Sequence, residues 1–259
     1  MATGLWTKEQ VKLAFHLYCK IPYGRIYGRN PEIMALAKVI GRTSDAVAMK
    51  MLNIASLDPA ITGTGRSGLG NASALDRAVW DEFHSDWERL AVECQLQRQQ
   101  LDACDPDDFE PENDFPSLDD FAGETRQALT TQRIKQHFFR RAVLSSYRGR
   151  CCMSGLSDTR LLIASHIVPW SQDKQNRLNP SNGLCLSAIH DRAFDKGLMT
   201  LTDDLKIVVS EELSRCDDMF VRDVLLPLNG RTIEPPERFA PQSAFVTWHR
   251  NCIFVDNQK

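Results

Sequence analysis

The sequence predicts an α+β protein with a helical N-terminal domain and a C-terminal domain built on two short strands and a helix. Apolar residues recur at helical spacing through most of residues 1–100. A stretch rich in proline and acid follows at 101–126. Beyond it, apolar runs of strand length precede an amphipathic helix. A chain of 259 residues is long enough for this two-domain arrangement.

Helix signals follow one another in the predicted N-terminal domain. "TKEQVKLAFHLYCK" begins with Thr7 as a plausible N-cap, and "NPEIMALAKVI" opens with Asn30 as cap and a proline at the first helical position. "SDAVAMKMLNIASL" restarts with Ser44 as cap. The spacing of large apolar residues from Ala74 to about Leu101 predicts one long amphipathic helix.

The two helices joined by "GRT" form a helix-turn-helix pattern, with Gly41 in the turn. "LWTKEQ" and "LAKVIGRTSDAVAMKM" resemble Myb or SANT-type modules. The resemblance implies a domain that positions duplex DNA with side chains of the second of these helices. A helical scaffold or dimerisation domain is the alternative. The side chains expected to face solvent there are Ser44, Asp45, Ala48, Lys50 and Asn53.

Acidic residues are concentrated in one stretch of the chain. Residues 101–126 hold ten acids and one base, so the remainder carries 30 bases against 24 acids although the net charge is −3. Like charges and prolines predict a solvated linker between domains 1–100 and 127–259. An acidic loop within one domain, or a mimic of nucleic-acid charge that fills a basic groove, are the alternatives.

The chain reads as a cytoplasmic protein without a membrane partner. No apolar stretch approaches the roughly 20 residues that a membrane span needs, and the N-terminus lacks the layout of a secretory signal. Eight scattered cysteines are therefore expected to be reduced thiols.

Polar residues mark the ends of the elements predicted in the C-terminal domain. The apolar run "LLIASHI" predicts a strand that reaches His166, and Pro169 stops further pairing. A second short strand follows Asn182, and "AIHDRAFDKG" predicts a helix. Asp191 and Asp195 share one face of this helix because they lie four positions apart.

The blocks "ASHIVPW", "NGLCLS" and "HDRAFDKGL", in this order, resemble the HNH endonucleases, and in particular a branch described as restriction enzymes. The resemblance implies a ββα-metal fold in which His166 is the general base and Asn182 holds the loop. It also implies one divalent cation, Mg²⁺ or alternatively Mn²⁺. Spacing from Asn182 leaves the last H position open between Asp191 as ligand and His190 as catalytic residue or ligand. The candidate metal ligands are Asp191, His190, Ser165 and Asp195.

The resemblance implies a double-stranded DNA endonuclease with a restriction or other defence role, acting as a two-fold homodimer. Ser165 stands where many relatives have an acid or histidine, so a non-catalytic DNA-binding regulator is the alternative. A nuclease for RNA or modified bases is a third possibility. The cysteine knuckle of some relatives is expected to be absent, because its positions read Cys151, Ser154, Ser187 and His190. The expected DNA contacts are Arg42, Lys50, Arg140, Arg141, Lys174, Arg177 and Arg192.

Overall fold

The computed structural model describes residues 4–63, 69–101 and 123–258, with side chains described from 128 onward in the last range. The predicted linker at 101–126 lies outside these residues, apart from residue 101 and the backbone of 123–126. The α+β class is confirmed. The chain divides into two compact units, Met1–Ser145 and Ser146–Lys259.

The described part of the first unit is helical. Its elements are α1 Lys8–Lys20, α2 Pro31–Val39, α3 Ser44–Ala55, α4 Pro59–Thr62, α5 Ala74–Ser85, α6 Trp87–Gln100 and α7 Gly123–Ser146, the last ending at the boundary of the second unit. Thr7 and Asn30 cap α1 and α2 as predicted. The cap of α3 is Thr43 and not Ser44, because the Thr43 hydroxyl accepts from the Ala46 N–H.

The single long helix predicted from residue 74 to 101 is wrong. Asp86 leaves helical geometry, with φ −156° and ψ 77°, and its carboxylate caps α6 by accepting from the Arg89 N–H at 2.9 Å. Aspartate competes well for such a cap because its short side chain reaches backbone donors. The apolar stripe stays continuous across the break, since Phe83 and Trp87 are both buried.

Two residues of α3 that were predicted to face solvent are buried. Lys50 is 7% exposed and its ammonium lies 2.8 Å from the carboxylate of Asp76, which is fully buried. Ala48 is 5% exposed. A helix packed among several others exposes less of its surface than its own apolar periodicity indicates. Lys50 is buried because the buried carboxylate of Asp76 requires a cation beside it.

The core of the first unit is aromatic. Phe15 lies edge-to-face with Phe83 at a centroid distance of 4.5 Å, and Phe138 of α7 stacks on His16 at 5.2 Å. Trp87 packs against Phe83 of α5 and Phe138 of α7. Aromatic pairs of this kind add about 0.5–1.5 kcal/mol beyond the burial of apolar area.

The second unit is built around two strands and one helix in the predicted order. β1 Leu162–His166 pairs antiparallel with β2 Gly183–Ser187, and His166 lies opposite Gly183. α8 Ala188–Asp195 follows β2 directly, capped by the Ser187 hydroxyl. This places the end of β1, the start of β2 and the face of α8 in one small region.

A second small sheet and two further α-helices follow in the second unit. The remaining elements are β3 Met199–Leu201, β4 Ile207–Val209, α9 Glu211–Ser214 and α10 Ser243–Cys252. Gly197 ends α8 with φ +67°, and a Cβ there would strike the carbonyl of Ile253. The end of α8 is thereby packed against the segment that follows α10. Among the described residues, no helix is long and apolar enough to cross a membrane.

Candidate functional site

His166 ends β1 with its ring orientation fixed. Nε2 lies 2.9 Å from the carbonyl oxygen of Arg177, which can only accept, so Nε2 carries the proton and Nδ1 carries the lone pair. Burial lowers the pKa of His166 below 6.5, although the hydrogen bond to Arg177 opposes this in part. The imidazole is therefore neutral at neutral pH and can accept a proton.

Trp170, four residues after His166, contacts the imidazole from the segment that follows β1. The Trp170 ring meets His166 edge-to-face at 5.6 Å. Arg177 donates from Nε to the Trp170 carbonyl at 2.8 Å, and its guanidinium lies 5.2 Å from the centre of the indole ring. Arg177, predicted as a DNA contact, is thus tied to the segment that presents His166.

Asn182 is fully buried immediately before β2. Its Oδ1 accepts from the Val168 N–H at 2.8 Å, and its Nδ2 donates to the Val168 carbonyl at 3.1 Å and to the Asn176 carbonyl at 3.3 Å. The Ile167 N–H also donates to the Asn182 carbonyl at 2.9 Å. One uncharged side chain therefore fixes both ends of the loop between β1 and β2.

Ser165 of β1 and Asp191 of α8 face one another. The Ser165 residue is 2% exposed and its hydroxyl has no hydrogen bond of standard geometry among the described residues. It is nevertheless close enough to act on the carboxylate: burial raises the pKa of Asp191, and the Ser165 hydroxyl and Arg192 lower it in part. A buried hydroxyl whose contact with a desolvated carboxylate falls short of standard hydrogen-bond geometry is a polar site that a ligand would complete.

Asp195 lies one helical turn beyond Asp191. Desolvation, and then the charge of Asp191, raise the pKa of Asp195 to about 6, although the residue is exposed at one side. A carboxylate whose pKa is raised by burial and by a neighbouring carboxylate is a group that a bound cation would stabilise in its charged form.

The oxygen donors that meet here are one hydroxyl and two carboxylates, those of Ser165, Asp191 and Asp195. Mg²⁺ and Mn²⁺ favour such ligands, and Mg²⁺ commonly uses one or two carboxylates and completes its shell with water. Within the described ranges, no three His, Cys, Asp or Glu side chains form a group that could hold a metal ion. A cation at this site would therefore depend on the hydroxyl and on water.

The His190 side chain is directed to a different cluster. It is 3% exposed, and its Nδ1 lies 3.0 Å from the Ser187 hydroxyl and 3.3 Å from the Cys151 sulfur. Burial raises the pKa of Cys151, but hydrogen bonds from His190 and Ser154 outweigh it and bring the pKa to about 6. Cys151, Ser154, Ser187 and His190 occupy the positions of the cysteine knuckle found in some relatives. In this chain they contact one another through hydrogen bonds.

The remaining expected DNA contacts fall into two groups. Lys174 and Arg192 are exposed, and Arg140 is partly exposed. Arg141 pairs with Glu32 at 2.9 Å. Arg42 donates to the carbonyls of Gly4 and Leu5 at 2.7 and 2.6 Å, and Lys50 is buried with Asp76. Arg42 and Lys50 therefore stabilise the first unit.

Several groups that shape the site were missed by sequence reasoning. The acceptor for His166 is a backbone carbonyl, which every residue carries, so no residue type signals it. The Cys151–His190 contact joins residues 39 positions apart. The Trp170 ring had a signal, since "HIVPW" places an aromatic residue four positions after the histidine.

Part of the second unit is similar to a known protein family. A family model described as HNH endonuclease matches residues 151–202, which contain β1, β2 and α8. No curated protein matches the chain.

Proposed function

Since residues 151–202 belong to the HNH endonuclease family, we propose that this protein hydrolyses phosphodiester bonds of double-stranded DNA. The observation that carries the proposal is the meeting of β1 and α8. A neutral histidine ends the strand, and the buried Ser165 hydroxyl beside it acts on the carboxylate of Asp191.

The chain's own residues divide the work as follows. His166 takes the proton of the attacking water on Nδ1, while its Nε2–H keeps donating to the Arg177 carbonyl and holds the ring in place. The resulting imidazolium later loses its proton to solvent. Asn182 holds the loop without adding charge to the site.

Asp191, Asp195 and Ser165 would hold a divalent cation, Mg²⁺ or Mn²⁺. When bound, such an ion supplies positive charge to the phosphate and to the departing oxygen. His190 is assigned to the cluster with Cys151 and Ser187, where it supports the first turn of α8.

The wider role follows from the family resemblance. We propose that the first unit, with its helix-turn-helix-like pair α2 and α3, positions duplex DNA. Cleavage of both strands then needs two copies, as a two-fold dimer. Restriction of foreign DNA is the cellular role proposed.

One observation favours a second candidate, a DNA-binding regulator that does not cut. Ser165 is a weaker ligand than an acid, and no three His, Cys, Asp or Glu side chains of the described residues form a metal-holding group. In this case the carboxylates of α8 would be remnants of a lost site.

Incubation of supercoiled plasmid with the protein and Mg²⁺ or Mn²⁺ separates the two. The endonuclease nicks or linearises the plasmid, EDTA stops it, and His166→Ala abolishes cleavage. His84→Ala is the matched control, because His84 is exposed in the first unit. A regulator shifts the DNA in a gel and never cuts. Absence of cleavage across unmodified, methylated and single-stranded DNA and RNA would overturn the nuclease proposal.

A further inference from the structure

Residues 23–29, "YGRIYGR", repeat the triplet Tyr-Gly-Arg and connect α1 to α2. We propose that this segment, the arginine loop, grips the phosphates of duplex DNA through Arg25 and Arg29. The inference rests on the proposed function and says which surface of the first unit meets the substrate.

The cationic groups of the arginine loop are available. Arg25 and Arg29 are exposed, and neither side chain makes an ion pair or hydrogen bond with any residue that the structure describes. Tyr27 lies between them in the sequence and is 48% exposed. Guanidinium groups match phosphate geometry, and tyrosine hydroxyls are frequent phosphate donors.

The loop is braced even though its side chains are solvated. Asn30 is fully buried; its Nδ2 donates to the Arg25 carbonyl at 3.0 Å, and its Oδ1 accepts from the Glu32 N–H at 2.9 Å. Ile26, at 7% exposure, anchors the middle of the loop. A preorganised backbone lowers the entropy lost when the side chains bind a partner.

The arginine loop also packs against the start of α3. A Cβ on Gly28 would strike the carboxylate of Asp45, so the loop backbone and the first turn of α3 are in direct contact. Asp45 thus lies beside the loop backbone, yet it pairs with neither arginine. The acid that opens α2, Glu32, is neutralised by Arg141 at 2.9 Å.

Most other cationic side chains that the structure describes in the first unit already have a partner, unlike those of the arginine loop. Lys50 and Lys12 are in ion pairs, and Arg42 is held by backbone carbonyls and lies 4.9 Å from the Trp6 ring. In the described part of the first unit, the exposed cations without a partner are Arg25, Arg29, Lys38 and Arg77. Two of these four lie within one short loop.

The spacing fits a nucleic-acid strand. The two arginines are four positions apart in the sequence, so their Cα atoms are at most about 14 Å apart. Phosphates of one DNA strand advance by about 3.4 Å along the helix axis, so both guanidinium groups can reach phosphates of a single short stretch.

The test measures duplex binding by fluorescence anisotropy over a range of salt, in a His166→Ala background that prevents cleavage. Arg25→Gln and Arg29→Gln are each compared with Arg77→Gln, which removes the same charge from an exposed site on α5. We expect each loop variant to bind several-fold more weakly. Each should also lower the slope of log K against log salt by about 0.9, whereas Arg77→Gln leaves it unchanged.

Each of the following results would overturn the inference. Loop variants that bind as tightly as the His166→Ala background, while that background binds DNA well, remove it and leave the proposed function intact. Equal losses for all three variants indicate general charge and not a site, and losses confined to RNA assign the loop to another partner. A background protein that binds no duplex removes the proposed function as well.

Discussion

Asn182 holds the peptide of Val168 at both ends, accepting from its N–H at 2.8 Å and donating to its carbonyl at 3.1 Å. Val168 lies two residues after His166, so this pair of hydrogen bonds sets where the chain turns after the candidate base. Both partners are buried, and water does not replace a lost bond there.

Asn182→Ala should therefore affect stability and cleavage together. It leaves the Val168 N–H and carbonyl without this partner, which costs about 1–3 kcal/mol for a buried group. We expect a lower free energy of unfolding in urea and slower cleavage measured well below the melting temperature. Asn251→Ala removes the same side chain from an exposed site and should change neither. Wild-type cleavage by a folded Asn182→Ala protein would separate the loop from catalysis.

The carboxylates of Asp191 and Asp195 should oppose folding without metal and favour it with metal. The charge of Asp191 raises the pKa of Asp195, so Asp191→Asn removes a repulsion and should raise the Tm of EDTA-treated protein by about 1–3 °C. The same variant should lose most of the Tm increase that Mg²⁺ or Mn²⁺ gives the wild type.

Asp217→Asn is the control for this pair, because Asp217 is exposed and has no partner in the described chain. Its Tm should follow the wild type with and without metal. If the cations raise the Tm of Asp191→Asn as much as that of the wild type, α8 does not hold the ion.

Lys50 should contribute to folding and not to DNA binding. Its ammonium neutralises Asp76, which is fully buried, and removal of one partner of a buried pair costs about 3–5 kcal/mol. Lys50→Ala should lower the urea midpoint strongly, while Lys38→Ala, at an exposed site, should stay within about 0.5 kcal/mol of wild type. A stable Lys50→Ala protein with weaker DNA binding would restore the prediction made from sequence.

The sequence predicted the elements of the site better than the partners of its residues. The order β1, β2, α8 follows from local periodicity and from the turn at Asn182, and the structure confirms it. The burial of Lys50 was missed because it depends on Asp76, which lies 26 residues away. The break at Asp86 was missed because the apolar stripe continues through it, so that only the cap formed by the Asp86 carboxylate reveals it. Long-range contacts and competing caps were thus beyond periodicity alone.

The buried His249 should make stability depend on pH. Its Nε2 donates to the Phe194 carbonyl at 3.1 Å, its Nδ1 lies 2.9 Å from the Thr200 hydroxyl, and its ring stacks on Phe194 at 3.7 Å. Burial lowers the pKa of His249 from 6.5 to about 4, although the hydrogen bond to Phe194 opposes this.

Between pH 6.5 and about 4 the unfolded chain therefore binds a proton that the folded chain does not bind. The stabilisation is complete above pH 6.5 and falls as the pH drops through this window, by up to about 3 kcal/mol. Urea unfolding of wild type and His249→Gln at several pH values measures it. The difference between the two curves should shrink towards low pH, and a difference that stays constant would contradict the assignment.

The Cys151 thiol should be ionised yet unreactive. Its pKa of about 6, set by burial against the hydrogen bonds of His190 and Ser154, predicts a thiolate at pH 7. Alkylation also requires access, and Cys151 is fully buried whereas Cys216 and Cys252 are exposed. Peptide mass spectrometry during iodoacetamide treatment should find Cys216 and Cys252 modified in the native protein, and Cys151 only after unfolding in urea. Native labelling of Cys151 at the rate of Cys216 would mean that its contact with His190 opens freely, and that α8 is not fixed at its first turn.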